Sequence, residues 1–179
     1  MHDVELWLVR HGETARSARR ELAGWADPSL TRRGEREARA LRSVLDGAAF
    51  TSVWSSDLVR TVTTARLAHG EPRQDRRLRE LDFGTLEGRR WTELGERRHR
   101  QLLSFRSFAA PEGESVDDLR ARLVSFLDEL PPGRHLLFTH GGPIRVLVRD
   151  LGVDRFVPTG TVVIMSWTRQ ALIRVLELE

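Results

Sequence analysis

Leu6-Trp7-Leu8-Val9-Arg10-His11-Gly12 opens with an unbroken apolar run and closes on an arginine, a histidine and a glycine. The apolar part shows no alternation, which is the pattern of a strand covered on both faces of a sheet. A second stretch repeats the arrangement: residues 135–139 read as another buried strand, and Thr139-His140-Gly141-Gly142-Pro143 follows, with proline near the first turn of a helix. Parallel, adjacent strands would bring both histidines to the carboxyl edge of the sheet, where open α/β folds place their ligands.

The intervening segments supply the helices such a sheet needs. Thr31 is suited to cap a helix carrying Ala38, Leu41, Val44 and Leu45 on one face and ending near Asp46-Gly47. Ser52-Val53-Trp54 reads as a short strand running into Ser55-Ser56-Asp57, a cap signal for a helix with Leu58, Val62 and Ala65. Residues 70–88 are turn-rich, and residues 89–108 are expected to be one arginine-crowded helix. Ser115-Val116-Asp117-Asp118 is close to a capping box, and Val116, Leu119, Leu123, Phe126, Leu127 and Leu130 form a stripe that stops at Pro131-Pro132-Gly133. Residues 162–167 and 171–178 read as a closing hairpin. Alternating strands and helices predict a three-layer α/β/α sandwich with a mostly parallel central sheet and an antiparallel edge strand. The 179 residues suit a single domain spanning 1–179.

Composition narrows the chemistry. With no cysteine, thiol nucleophiles, disulfides and cysteine-bound metals are excluded. All 29 basic residues are arginine, so a net charge of only +3 coexists with a pI near 10.9, because with no lysine, tyrosine or cysteine almost nothing titrates between histidine and arginine. The basic pI is therefore no sign of nucleic-acid binding, and aromatic and basic residues do not interleave in a recognition pattern. No apolar run approaches the roughly 18–20 residues of a membrane span, and Met1-His2-Asp3-Val4-Glu5 lacks a secretion-signal pattern. A cytoplasmic protein with no membrane or nucleic-acid partner is expected; oligomeric state is left open.

The residues at the predicted strand ends form an anion site. A glycine after each histidine lets the backbone come close to a bound group, and the Gly141 amide is free to donate. Arg60 falls in the first turn of a helix that begins at a strand end, where a guanidinium fork and the helix dipole act together on phosphate oxygens. Leu78 to Gly88 is punctuated by Glu80, Asp82 and Glu87 among apolar neighbours, and a carboxyl held there can keep its proton near neutral pH. His2, His69, His99 and His135 read as structural or surface groups, and none has metal-ligand spacing. Trp25 is equally suited to facing substrate or to packing. The arginines of 89–106 read first as a solvated face and second as a pocket rim.

Taken together, Leu8-Val9-Arg10-His11-Gly12-Glu13-Thr14 resembles the signature of the histidine phosphatase superfamily, in the branch of phosphoglycerate mutases and small bacterial phosphatases. Gly24 to Gly34, Ser55 to Arg60 with Thr64-Ala65, Arg79-Glu80 through Glu87-Gly88, and Thr139 to Gly142 resemble further family blocks in the family's order. The resemblance implies that His11 is the nucleophile and Glu80 the proton donor and acceptor. It also implies that Arg10, Arg60 and His140 hold the phosphoryl oxygens, beside the Gly141 amide read above as an anion donor, with no metal and no cofactor. Ser17 stands where the family usually has asparagine, and should donate the same hydrogen bond with a shorter reach.

The implied partners are a small-molecule phosphate ester and inorganic phosphate. The implied reaction is metal-independent phosphomonoester hydrolysis through phosphohistidine; the alternatives are a phosphoglycerate mutase, a phosphohistidine protein phosphatase and a silent phosphate-binding module. The shortness of the chain and its lack of lysine favour hydrolysis over mutase chemistry. The specificity walls are expected within residues 14–28 and 84–112.

Overall fold

The computed structural model describes residues 3–178. His2, read above as structural or surface, lies outside them. The chain runs β1 (Val4–Arg10), α1 (Ala15–Ala18), α2 (Arg32–Leu45), β2 (Ser52–Ser55), α3 (Val59–Ala68), β3 (Arg73–Gln74), α4 (Glu96–Ser104), α5 (Val116–Leu127), β4 (Gly133–Thr139), α6 (Gly141–Val148), β5 (Val162–Ser166) and β6 (Ala171–Leu176). The sheet order is β3-β2-β4-β1-β5-β6. Strands β3, β2, β4 and β1 are parallel, and β5 pairs antiparallel with both β1 and β6. The closing hairpin thus supplies the expected antiparallel edge, with β5, one place in from that edge, as the reversed strand.

Both faces of the central strands are covered. Leu6, Leu8, Leu137, Val163 and Met165 join the core that includes α5 and α6, whereas Val9, Leu136, Phe138, Val162 and Ile164 join the one that includes α2 and α3. Period-two alternation between two apolar layers explains why the sequence itself shows no polar alternation. Each fully buried leucine or valine contributes about 1.5–3 kcal/mol, so the middle strands are the rigid part of the platform. The register pairs Arg10 with Thr139 and Ser55 with Phe138, so the turns after β1, β4 and β2 emerge side by side.

Two local expectations are corrected. Residues 89–108 do not form one helix: a 3-10 turn at Trp91–Glu93 precedes α4, Gly95 between them is non-helical at φ 16° and ψ 148°, and Phe105 ends α4 in the left-handed region at φ 48°. The break lets Trp91 turn toward Phe156, its ring edge-on at 5.4 Å, while Leu94, Leu102 and Phe105 remain buried. The other correction concerns the cap of α3. Its own N-cap residue, Leu58, makes no side-chain bond, and Asp27 from a distant loop accepts from the Val59 amide at 2.6 Å. Asp57 is drawn away by Arg79 in a two-bond ion pair, each N–O distance 2.6 Å.

Candidate active site

The β1–β4 register sets the site. The His11 amide donates to the Thr139 carbonyl at 3.1 Å, and the rings of His11 and His140 stand edge to face with centroids 5.1 Å apart. His11 Nδ1 lies 2.7 Å from the carbonyl of Gly12. A carbonyl can only accept, so Nδ1 carries the hydrogen and Nε2 keeps its lone pair. The Gly12 amide in turn donates to Thr64 Oγ1, whose hydroxyl donates to the Arg60 carbonyl, tying the turn to α3. Gly12 must be glycine here: a Cβ would sit 2.3 Å from the Gly34 carbonyl oxygen.

Burial, reinforced by Arg60 and Arg10, holds the His11 imidazole well below its ordinary pKa of 6.5 despite the Gly12 hydrogen bond. Burial and the Arg60 charge do the same to His140. Both rings are therefore neutral at physiological pH. Glu80 is perturbed in the opposite sense: burial raises its carboxyl above 4.5, against the pull of the Gly142 and Leu81 amides and of Arg60 and Arg10. A neutral imidazole with a free lone pair, near a carboxyl inclined to keep its proton, suits nucleophilic attack coupled to proton donation.

Glu80 is distinguished from its carboxylate neighbours by what each touches. It faces a cavity of about 230 Å³ shared with Arg10, His11, Thr14, Ser17, Arg20 and Trp91. Asp82 accepts from the Gly84 amide, and Glu87 accepts from the amides of Trp25 and Ala26, so both shape loops. The Glu80 backbone is clamped from outside: Trp25 Nε1 and Arg122 both donate to its carbonyl, and Arg122 also bonds the carbonyls of Arg77 and Arg79 while pairing with Glu114.

The cationic groups converge but are not equivalent. Arg10 lines the cavity, donates to the Val157 carbonyl and leaves Nε buried without a partner. Gly141 packs against it, since a Cβ there would come within 3.4 Å of Arg10 Cζ. Arg60 is fully buried behind the cavity, and its terminal nitrogens donate to the carbonyls of Ala23, Gly24 and Ala26. It acts on His11, His140 and Glu80 through its charge, and holds the 23–27 loop in place.

Ser17 departs from the expectation of a free donor. It lines the cavity, but its hydroxyl closes a capping box with Thr14, accepting from the Thr14 amide and donating to its carbonyl. A serine is too short to do this and also reach across the cavity.

Residues 6–170 match the family model described as histidine phosphatase superfamily (branch 1). The chain belongs to the histidine phosphatase superfamily. Over 160 residues it is 38% identical to a protein named "Probable phosphoglycerate mutase GpmB" from Cronobacter sakazakii, across 83% of this chain and 74% of that one. The crystal structure of phosphoglycerate mutase from Thermus thermophilus is 43% identical and superposes with a TM-score of 0.91, covering 98% of this chain and 99% of the other. An Escherichia coli structure described as "a putative alpha-ribazole-5'-P phosphatase" is 26% identical with a TM-score of 0.81, over 98% and 96% of the two chains.

Within this superfamily member, several contributors to the site carried no signal in the sequence. Phe156 reaches the cavity from the loop before β5. Arg122 sits in an ordinary amphipathic helix, and only the tertiary fold shows it holding the Glu80 turn. Trp25, weighed between substrate and packing, places its indole N–H on the Glu80 carbonyl and lies beneath the guanidinium of Arg79, 4.9 Å from its ring centroid. The arginines of 89–106 separate: Arg90 borders a second hollow beside Trp91 and His99, whereas Arg97 and Arg98 are exposed on α4. His135 is fully buried between Ser52 and the Pro131 carbonyl, a structural role. Among the described residues, no helix is long and apolar enough to cross a membrane.

Proposed function

We propose that this protein hydrolyses phosphate monoesters of small metabolites through a phosphohistidine on His11. The observation that carries the reading is the buried, neutral His11 ring, pinned through Nδ1–H to the Gly12 carbonyl with Nε2 left as the only nucleophilic nitrogen. In the first step Nε2 forms a bond to phosphorus in line with the ester oxygen. The P–O bond breaks as Glu80 gives its proton to the departing alcohol. The phosphorylated ring keeps its Nδ1 hydrogen and is cationic, and the Gly12 carbonyl stabilises that charge. Arg10 and His140, with Arg60 behind them, offset the charge on the phosphoryl oxygens, where phosphoryl transfer gains most of its rate. In the second step Glu80 carboxylate takes a proton from water, the oxygen of that water bonds to phosphorus, the P–N bond breaks, and inorganic phosphate leaves with His11 restored.

The names of the phosphoglycerate mutase relatives favour a second reading, in which the phosphoryl group returns to a carboxylated sugar acid instead of passing to water. One experiment separates them. Incubation with 3-phosphoglycerate should release inorganic phosphate with no accumulation of the 2-isomer, with or without chelator. Interconversion faster than phosphate release would establish the mutase, and loss of activity on metal removal would overturn the mechanism. In a rapid quench, an acid-labile, base-stable phosphoenzyme should form in the wild type and not in His11→Ala.

A further inference from the structure

Next to the nucleophile, one buried hydroxyl has no recognised task. Ser56 is fully buried at the end of β2, and its Oγ lies 3.0 Å from His140 Nε2. The Leu58 amide donates into the same oxygen at 3.3 Å. The carbonyl of Ser56 is occupied separately, by the hydroxyls of Ser55 and Thr61. Two arrangements of the shared hydrogen are possible in principle. In one, His140 Nε2–H donates to Ser56, and the serine's own hydrogen is left without an acceptor among the described residues. In the other, Ser56 donates to Nε2, its oxygen still accepts from Leu58, and every polar group of the serine is satisfied. Among the described residues, His140 Nε2 is the acceptor that the Ser56 hydroxyl reaches. An unmade hydrogen bond in a buried site is costly, so the second arrangement wins.

The consequence falls on the far side of the ring. A neutral imidazole carries one hydrogen, and with Nε2 accepting, that hydrogen is on Nδ1. His140 Nδ1 is buried and has no partner. The ring stands beside His11 and in the positive field of Arg60, Arg122 and Arg10, an environment that favours an anion. We infer that Ser56 is a positioning residue that fixes the tautomer of His140, so that Nδ1 presents a hydrogen-bond donor to the phosphoryl group bound at His11. The opposite tautomer would turn a lone pair toward the phosphoryl oxygens and repel them. Burial of the ring, which keeps it neutral, is what makes a tautomer-setting partner necessary: a charged imidazolium would donate from both nitrogens unaided.

This inference rests on the phosphoryl site proposed above, and its first readout is independent of turnover. Imidazole 15N–1H spectra of the ligand-free protein, with His140 assigned by comparison with His140→Gln, should show Nδ1 protonated and Nε2 unprotonated. A spectrum with hydrogen on Nε2 would overturn the inference even if hydrolysis is established. The expected tautomer in a protein that releases no phosphate would instead count against the proposed reaction alone.

Ser56→Ala should give a mixture of tautomers at His140. It should also weaken inorganic phosphate binding about 2- to 10-fold, the reciprocal of a competent fraction between about one half and one tenth. Ser56→Thr, which keeps the hydroxyl, should restore both the wild-type pattern and most of the affinity. Unchanged phosphate affinity in a folded Ser56→Ala protein would refute the role. If neither variant folds, the wild-type spectrum decides.

Discussion

Glu80→Gln tests the proton-donor role where the structure gives the most leverage. Both carboxyl oxygens face backbone donors: Oε1 accepts from the Leu81 amide at 2.9 Å and Oε2 from the Gly142 amide at 3.1 Å. Glutamine can place its oxygen on one of them only, and its NH2 must then confront the other N–H. The orphaned amide costs about 1–3 kcal/mol of stability, visible as a lower urea midpoint with an unchanged slope. The catalytic loss depends on the leaving group. An alkyl ester such as glycerol phosphate expels a strongly basic oxygen and needs the proton, so kcat/KM should fall by about 10²–10⁴. p-Nitrophenyl phosphate expels an oxygen stable as an anion, and its rate should fall by less than about tenfold. The assay is steady-state phosphate release from both esters at fixed pH. Equal losses on the two would show that Glu80 matters for geometry and not for proton transfer, and would refute the reasoning.

Three further outcomes are expected. A Cβ at Gly142 would lie 2.1 Å from Glu80 Oε1, so Gly142→Ala should displace the carboxylate and reproduce the same leaving-group selectivity while far-UV circular dichroism stays native; wild-type activity on alkyl esters would contradict this. His11 and His140 have folded pKa values depressed below 6.5, so the unfolded chain binds protons that the native state refuses. Their stabilisation is complete above that value and lost as pH falls through it, by up to about 2.7 kcal/mol per pH unit for two groups, and urea unfolding between pH 7.5 and 5.5 should show a slope that His140→Gln reduces. Arg97→Glu with Arg98→Glu, on the exposed face of α4, should leave the relative kcat/KM on singly and multiply charged esters unchanged; a selective loss on multiply charged esters would restore these arginines to the pocket rim.

What one dimension of the chain determined was whatever depends on local periodicity and backbone chemistry. The doubly covered strands ending at Arg10 and Thr139, the caps at Thr31 and Ser115, and the His-Gly pairs were all legible, because burial on two faces and an unpaired helix end each leave a mark within a few residues. The break at Gly95 was not, since an arginine-rich stretch of good helix formers hides the demand of Trp91 to face a cavity. Nor was the division of labour among similar side chains. Arg10 at the cavity and Arg60 behind it, Glu80 at the cavity and Glu87 within a loop, Ser17 turned back on Thr14 and Ser56 turned toward His140 differ only in what the folded chain brings near them. Desolvation and hydrogen-bond partnership are properties of a place in three dimensions, so the chemistry of these groups was decided by tertiary structure even where their identity was plain from the outset.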